Sequence, residues 1–240
     1  RTLLTASDLA QALGKGKFGS RSALVEKKAF PDGGNKAFGG ANGGGGGGGV
    51  PIPLKWGTMF ENVAMRCYRN MHNNIAVHEF GLIRHPTVEI FGASPDGITD
   101  DGIMVELKCP WRRQIIHGEV PEQYAIQIQG QLEVCDLDEC DYVECKIDAF
   151  NNEHEYLTTN LIKDDQITNH GIVIEREDGT YAYSPYDCTR KEVVDWVEQQ
   201  DNSKLVKLWF WMLGDINIVR VYRDKNYFNS ILPEIYKFWE

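Results

Sequence analysis

The stretch Ser94-Pro-Asp-Gly-Ile-Thr-Asp-Asp-Gly-Ile-Met-Val-Glu-Leu-Lys-Cys-Pro110 carries the clearest structural signal in the chain. Its second half alternates strictly from Ile103 to Cys109, and a period of two is typical of a β-strand. One face of the predicted strand carries Ile103, Val105 and Leu107, and the other carries Met104, Glu106 and Lys108. Burying an acid and a lysine side by side on a central strand costs free energy, which indicates a purpose beyond packing.

Asp96 extends this pattern. It lies in a Pro-Asp-Gly turn between a predicted strand, Val88–Ala93, and the strand Ile103–Cys109, so a tight hairpin would bring its carboxylate beside Glu106. Two converging carboxylates with the backbone carbonyl of Leu107 form an all-oxygen site suited to Mg²⁺ or Mn²⁺.

Lys108 would reach the same place as a donor. There it would orient an attacking water, lower the pKa of that water or stabilise charge on a phosphorane-like transition state. An isolated Glu-x-Lys is by default a surface pair, and a single turn aspartate is by default a turn former. Asp96, Glu106 and Lys108 together favour phosphodiester hydrolysis. Glu61, at the flank of a helical apolar face, is a further candidate, although a single glutamate is more often solvated.

The remaining pattern predicts an α/β (α+β) protein with a central mixed sheet flanked by helices. Helices are predicted at Ser7–Gly14 with Thr5 or Ser7 as the cap, Leu54–Met71, Pro121–Cys135, around Arg190–Gln200 and at 224–240, and further strands at Tyr142–Ala149 and Gly171–Glu175. The chain is interpreted as one domain, 1–240. Residues 39–49 form a flexible glycine-rich loop, and residues 150–205 form a polar, irregular and family-variable insertion.

Net charge, cysteine spacing and the length of apolar runs each bear on which classes of function the chain can have. The net charge of −10 disfavours a protein that coats DNA through bulk electrostatics, but an acidic nuclease remains possible where divalent cations supply positive charge. The six cysteines form no CxxC pair, which favours free thiols in a reducing, intracellular compartment. No apolar run approaches the ~18 residues that a membrane helix needs.

Several motifs spread across the chain carry a family resemblance. They are Thr5-Ala-Ser7, Trp56-Gly57 with Glu61, Gly92-Ala-Ser-Pro-Asp-Gly97, Val105-Glu-Leu-Lys-Cys-Pro110 and Tyr124-Ala-Ile-Gln-Ile-Gln129. In this ordered set the chain resembles the lambda exonuclease / YqaJ-like viral recombinase family of PD-(D/E)xK nucleases. Arg223-Asp224 followed by Phe238-Trp239 is similar to members from large DNA viruses.

The resemblance implies a restriction-endonuclease-like core and a 5′-to-3′ exonuclease on double-stranded DNA, with two Mg²⁺ or Mn²⁺ ions. It makes Asp96 and Glu106 metal ligands, Leu107 a ligand through its carbonyl, Lys108 the catalytic lysine and Glu61 an acid near the second metal. It further implies a ring-shaped trimer, a single-strand annealing partner, and, for a viral protein, the host cytoplasm (virus factory) or nucleus.

By the same resemblance, Ser7, Ser94 and Gln127 match positions that hold a 5′-phosphate. Arg1 is a weaker match, because it stands six residues before Ser7 where the family has its arginine at seven. From the residues alone, a plain N-cap is the favoured interpretation of Ser7, and a solvated helix face is the favoured interpretation of Gln127 with Gln123 and Gln131.

Two other functions remain open. An endonuclease of the restriction or junction-resolving kind would use the same chemistry but would also cut circular DNA. A DNA-binding scaffold with the same fold but no catalysis is disfavoured, because it would have no reason to keep Asp96, Glu106 and Lys108.

Overall fold

The computed structural model describes residues 3–17, 19–30, 50–163 and 166–240. Arg1 and the predicted glycine-rich loop 39–49 lie outside the described residues. The helices are α1 (Ala6–Ala12), α2 (Arg21–Ala29), α3 (Ile52–Met71), α4 (Glu122–Cys135), α5 (Glu153–Thr158), α6 (Arg190–Glu198) and α7 (Tyr227–Trp239). The strands are β1 (Leu4–Thr5), β2 (Val77–His78), β3 (Ile83–Arg84), β4 (Phe91–Ala93), β5 (Gly97–Thr99), β6 (Met104–Lys108), β7 (Glu139–Phe150), β8 (Ile162–Lys163), β9 (Gln166–Ile167), β10 (His170–Arg176), β11 (Tyr181–Tyr183) and β12 (Leu205–Tyr222).

The main sheet has seven strands in the order β11-β10-β12-β7-β6-β5-β2. Strands β6 and β7 are parallel, and every other neighbouring pair in this sheet is antiparallel. The parallel pair is connected through α4, as a crossover between parallel strands requires. The predicted mixed sheet with flanking helices is confirmed.

Helix α3 covers one face of this sheet. Trp56, Phe60, Val63 and Cys67 are buried there, as their helical spacing predicts, together with Val105 and Leu107 of β6. The same spacing continues to Met71 and predicts it on this face, but the prediction is wrong: Met71 is 54% exposed and is the last residue of α3.

Helix α4 is covered on both sides. Ile128 and Leu132 pack against Met104 and Tyr142 of the sheet. Ile126 and Val134, on another side of the helix, pack in the second core that α1, β4 and α7 contribute to. The spacing of Tyr124, Ile128, Leu132 and Cys135 predicts one apolar side for this helix, which is incomplete because a layer of helices lies outside α4.

The predicted hairpin between Val88–Ala93 and Ile103–Cys109 does not form. Only Phe91–Ala93 is a strand, and it belongs to a separate three-stranded sheet, β1-β4-β3. The antiparallel neighbour of β6 is the short strand β5. Gly97, which opens β5, permits the close approach of β2, since a Cβ atom there would lie 2.3 Å from Val77 Cγ1.

The longest strand, β12, was not predicted. It pairs with β7 along most of its length and with β10 on its other side. Within the region 150–205, the predicted strand Gly171–Glu175 is found as β10, and β10 and β11 extend the main sheet. Helix α7 buries Phe228, Ile235 and Phe238. Among the described helices, none has the length and apolar character needed to cross a membrane.

Candidate active site

Strands β5 and β6 bring the predicted acids together. Gly97 pairs with Val105, so Asp96, one residue earlier, comes level with Glu106 and Leu107. The Asp96 carboxylate accepts a hydrogen bond from the backbone N–H of Leu107, with an Oδ2–N distance of 2.6 Å. The predicted proximity of Asp96 to Glu106 therefore exists, although through β5 and not through β4.

Glu106 is only 1% exposed and is held by three donors. Its Oε1 accepts hydrogen bonds from Lys108 Nζ and from Gln127 Nε2, the latter at 2.6 Å. Its Oε2 accepts from Gln131 Nε2 at 2.7 Å. Gln127 and Gln131 lie one helical turn apart on α4, so both amides face the same strand.

The solvated-face alternative for the three glutamines is therefore wrong. Gln131 is 1% exposed and Gln123 is also buried, because α4 packs directly on the sheet. Gln123 Oε1 accepts a hydrogen bond from the backbone N–H of Lys17 at 3.1 Å, away from Glu106. Gln131 had no separate prediction, and its signal was the four-residue spacing from Gln127.

Burial and charge crowding shape the electrostatics of the site. Burial, followed by the neighbouring charge of Glu106, raises the pKa of Asp96 to about 8. Burial also raises the pKa of Glu61, while the charge of Lys108 opposes that rise. Burial acts to lower the pKa of Lys108, but the charges of Glu106 and Asp96 outweigh it and raise that pKa above its usual value.

The donor set fits a divalent cation. Three carboxyl groups, on Glu61, Asp96 and Glu106, interact electrostatically with one another and with one ammonium group, on Lys108. Carboxylate oxygens are the ligands that Mg²⁺ and Mn²⁺ prefer, and a divalent charge would relieve the crowding. In the described part of the chain, no three His, Cys, Asp or Glu side chains already surround one point. Here Asp96 is turned to the Leu107 amide and Glu106 to its three donors.

A cleft of about 470 Å³ opens beside these groups. Its lining includes Glu61, Ser94, Asp96 and Leu107, together with Arg66, Arg69 and Glu79, which the sequence reasoning had missed. Glu61, Met65 and Arg69 follow at steps of four along α3, so helical periodicity could have indicated Arg69. A larger cavity, about 790 Å³, opens at the N-terminal end of α6, but none of the predicted site residues lines it.

The residues predicted to bind a 5′-phosphate are only partly brought together. Ser94 is exposed at the cleft, and its Oγ donates to the Phe80 carbonyl at 3.5 Å. Thr5 is the N-cap of α1, so Ser7 is not the helix cap. The Oγ atom of Ser7 lies 2.9 Å from Oγ1 of Thr5. Among the described residues, Ser7 has no hydrogen bond to Ser94 or to Gln127, which is engaged with Glu106.

Comparisons with known proteins give both a family and a fold. A family model described as the YqaJ-like viral recombinase domain matches residues 1–138. An uncharacterized protein, R354, of Acanthamoeba polyphaga mimivirus is 25% identical over 239 residues, covering 77% of this chain and 42% of that protein. The chain thus spans less than half the length of this curated relative.

Two solved structures of one bacterial protein share the fold. The alkaline exonuclease LHK-Exo from Laribacter hongkongensis is 20% identical, with a TM-score of 0.54 and coverage of 99% of this chain and 86% of the other. The same exonuclease in complex with dAMP has a TM-score of 0.53 at the same identity and coverage. This likeness shows that the chain shares the fold of that protein.

Proposed function

Because the chain belongs to the YqaJ-like viral recombinase family, we propose that it is a metal-dependent 5′-to-3′ exonuclease that hydrolyses phosphodiester bonds of double-stranded DNA. The observation that carries this proposal is the convergence of Asp96, Glu106 and Lys108 at the junction of β5 and β6. The fold shared with an alkaline exonuclease supports it.

Asp96 and Glu106, with the Leu107 carbonyl and Glu61, would hold two Mg²⁺ or Mn²⁺ ions. When bound, such ions activate water as a nucleophile and offset charge on the phosphate. The acids supply the oxygen ligands, and Glu106 is kept in one orientation by its three donors. Burial of the site excludes bulk water from these charges and so strengthens their effect.

Lys108 acts as a donor in this scheme. Its raised pKa keeps Nζ protonated, so the lysine donates hydrogen bonds to the attacking water or to a phosphate oxygen and does not take up a proton. Two contacts hold the ammonium group: the Glu106 carboxylate, and the ring of Tyr124, whose centroid is 5.1 Å from Nζ. Negative charge that develops on the phosphate would therefore meet an oriented cation.

The preference for DNA ends depends on the predicted phosphate-binding residues, Ser7, Ser94 and Gln127, with Arg1 as a weaker candidate. Gln127 Nε2 donates to Glu106 in the described state, and its second N–H can donate to a 5′-phosphate. Ser94 is exposed beside Asp96 and is accessible to a phosphate. The preference for DNA ends therefore rests mainly on the family resemblance. The hydrolytic chemistry rests mainly on the positions of Asp96, Glu106 and Lys108.

The wider setting follows the family resemblance. The single strands released would pass to an annealing protein in viral recombination or repair. The chain would assemble as a ring-shaped trimer around DNA and would work inside the host cell, in the cytoplasmic virus factory or in the nucleus.

The test uses a linear duplex with one 5′-phosphorylated end and one 5′-hydroxyl end, beside a closed circle, in Mg²⁺ and separately in Mn²⁺. We expect digestion to begin at the phosphorylated end and the circle to stay intact. Cleavage of the circle at the same rate would indicate an endonuclease. Equal digestion from both ends would remove the phosphate-binding role of Ser7, Ser94 and Gln127.

A further inference from the structure

The buried amide of Gln131 is the least expected contact of the site. We infer that Gln131 is a positioning residue that fixes the one oxygen of Glu106 that stays open to a cation. The inference rests on the proposed function, because it assigns Gln131 a role toward the metal that Glu106 would bind. Gln131 lies outside the Tyr124–Gln129 motif on which the family resemblance depends.

The two oxygens of Glu106 are occupied unequally. A carboxylate oxygen offers about two lone-pair positions to donors or metals. Oε1 already accepts from Lys108 Nζ and from Gln127 Nε2, so both of its positions are used. Among the described residues, Oε2 accepts only from Gln131, which leaves one of its positions unused. The oxygen that can accept a cation ligand bond without losing a hydrogen bond is therefore the one that Gln131 orients.

Gln131 also contacts the chain segment that leads into Asp96. The Nε2 atom that donates to Glu106 on β6 lies 3.5 Å from the carbonyl oxygen of Ser94, two residues before Asp96. One amide group thus contacts both the Glu106 side chain and the segment next to the second acid.

Packing alone does not explain an amide at this position. Gln131 is 1% exposed, and its Oε1 is buried with no hydrogen-bond partner among the described residues. An unpaired buried carbonyl oxygen costs free energy that an apolar side chain of the same length would not. The Nε2 donor accounts for an amide at this position, because it donates a hydrogen bond to Glu106.

Gln127 and Gln131 therefore differ in role although both contact Glu106. Gln127 is partly exposed and shares Oε1 with Lys108, so its amide can turn toward a substrate phosphate while Lys108 still holds that oxygen. Gln131 is enclosed between the sheet and α1, where its neighbour Gly130 packs against Leu9 and Ala6. Because Gln131 is only 1% exposed, we expect it to keep its contact with Oε2 when substrate binds.

The experiment measures Mn²⁺ binding to the purified chain, without DNA, by isothermal titration calorimetry. Gln131→Met keeps the length of the side chain and removes the donor. Gln129→Met is the matched control, because Gln129 lies on the same helix but bonds to the Tyr222 carbonyl and the Asp224 N–H, at 2.9 and 2.8 Å. We expect Q131M to weaken Mn²⁺ binding by about 10- to 100-fold and Q129M to leave it unchanged, in line with losses of groups that orient metal ligands.

Thermal unfolding in EDTA separates this role from a structural one. Q131M removes the unpaired carbonyl but leaves the buried Glu106 Oε2 without its donor, so it is expected to unfold at a somewhat lower temperature than the wild type, and Mn²⁺ binding is compared at a temperature at which both chains are folded. If Q131M fails to fold, Gln131→Asn retains the amide but is too short to reach Oε2, and the same loss of Mn²⁺ affinity is expected. Wild-type Mn²⁺ affinity in folded Q131M or Q131N overturns the inference and leaves the proposed function standing. A wild-type chain that binds no Mn²⁺ overturns the proposed function itself.

Discussion

The Asp96 side chain is hydrogen-bonded to the backbone of β6, the strand that carries Glu106 and Lys108. Its Oδ2 accepts the Leu107 N–H at 2.6 Å, between Glu106 and Lys108. The Asp96 carboxylate accepts the Leu107 N–H just before β5 begins, so the pairing of β5 with β6 positions this side chain. The relative placement of Asp96 and Glu106 is therefore fixed by strand pairing before any ligand arrives.

Replacing Asp96 with Asn is expected to abolish metal-dependent DNA hydrolysis without unfolding the protein. The Asn oxygen can still accept the Leu107 N–H, and the change removes one of three crowded carboxylates. Degradation of linear duplex in Mg²⁺ should fall below detection, while the circular-dichroism melting temperature in EDTA should not fall. Substantial activity in folded D96N would contradict the assignment of Asp96 as a ligand.

Lys108→Ala is expected to slow cleavage by about 100- to 1,000-fold, the range for losing one donor aimed at developing charge. Single-turnover digestion at saturating Mg²⁺ measures the chemical step. Lys225→Ala is the control, because Lys225 pairs with Asp138 on the surface and its side chain is 72% exposed. A rate for K108A equal to that of K225A would refute the donor role of Lys108.

The half-buried histidine of β10, His170, predicts a loss of stability in acid. Burial, followed by the charge of Arg190, lowers the pKa of His170 below its usual 6.5, and Nδ1 lies 2.7 Å from the Tyr156 hydroxyl. Above pH 6.5 neither the folded nor the unfolded state binds the proton, so His170 adds no pH dependence. Below 6.5 the unfolded chain takes up a proton that the folded chain resists, and the free energy of unfolding falls.

His170→Gln should therefore reduce the decline of the urea midpoint between pH 6.5 and pH 5. His154→Gln, at an exposed helix position, is the control and should leave the slope unchanged. An H170Q slope identical to that of the wild type would show that other groups cause the acid destabilisation.

Asn217 holds the segment 110–120, which follows β6, so its replacement is expected to destabilise that segment. It is 3% exposed on β12, its Oδ1 accepts the Gly118 N–H at 3.0 Å, and its Nδ2 donates to the carbonyls of Ile116 and Glu119. Asn217→Ala leaves these backbone groups without their partner and should lower the free energy of unfolding by about 1–3 kcal/mol. Limited proteolysis should cut between 110 and 120 faster in N217A than in Asn202→Ala, a change at an exposed position. Equal cutting would contradict the role of Asn217.

The predictable part of the molecule was the part with local, regular patterns. The strict alternation around Glu106 and the helical spacing from Trp56 to Cys67 identified β6 and α3, because each element buries a face whose period matches its geometry. In β12 the period is broken by a register shift between Leu213 and Asp215, so no single alternation runs through its eighteen residues.

The site was predictable in its charged residues and not in the amides around them. Asp96, Glu106 and Lys108 are costly to bury, so their positions carry information in the sequence alone. Gln131 is a neutral side chain on a helix, and only the packing of α4 between two layers makes it a buried donor to Glu106. The partner strand of β6 was also missed, because a three-residue strand such as β5 has too few residues to display a period.

The coverage of α4 on both sides limits how this site can move. A helix enclosed by the sheet on one side and by α1 and α7 on the other cannot slide or change register without disrupting two cores. If Gln127 binds a phosphate as proposed, its amide would turn from Glu106 toward that phosphate by rotation of one side chain. Such a rotation is much faster than the microsecond-to-millisecond shift of a helix. The pace of such an exchange would be set by the arrival of the DNA end and not by a conformational change of the protein.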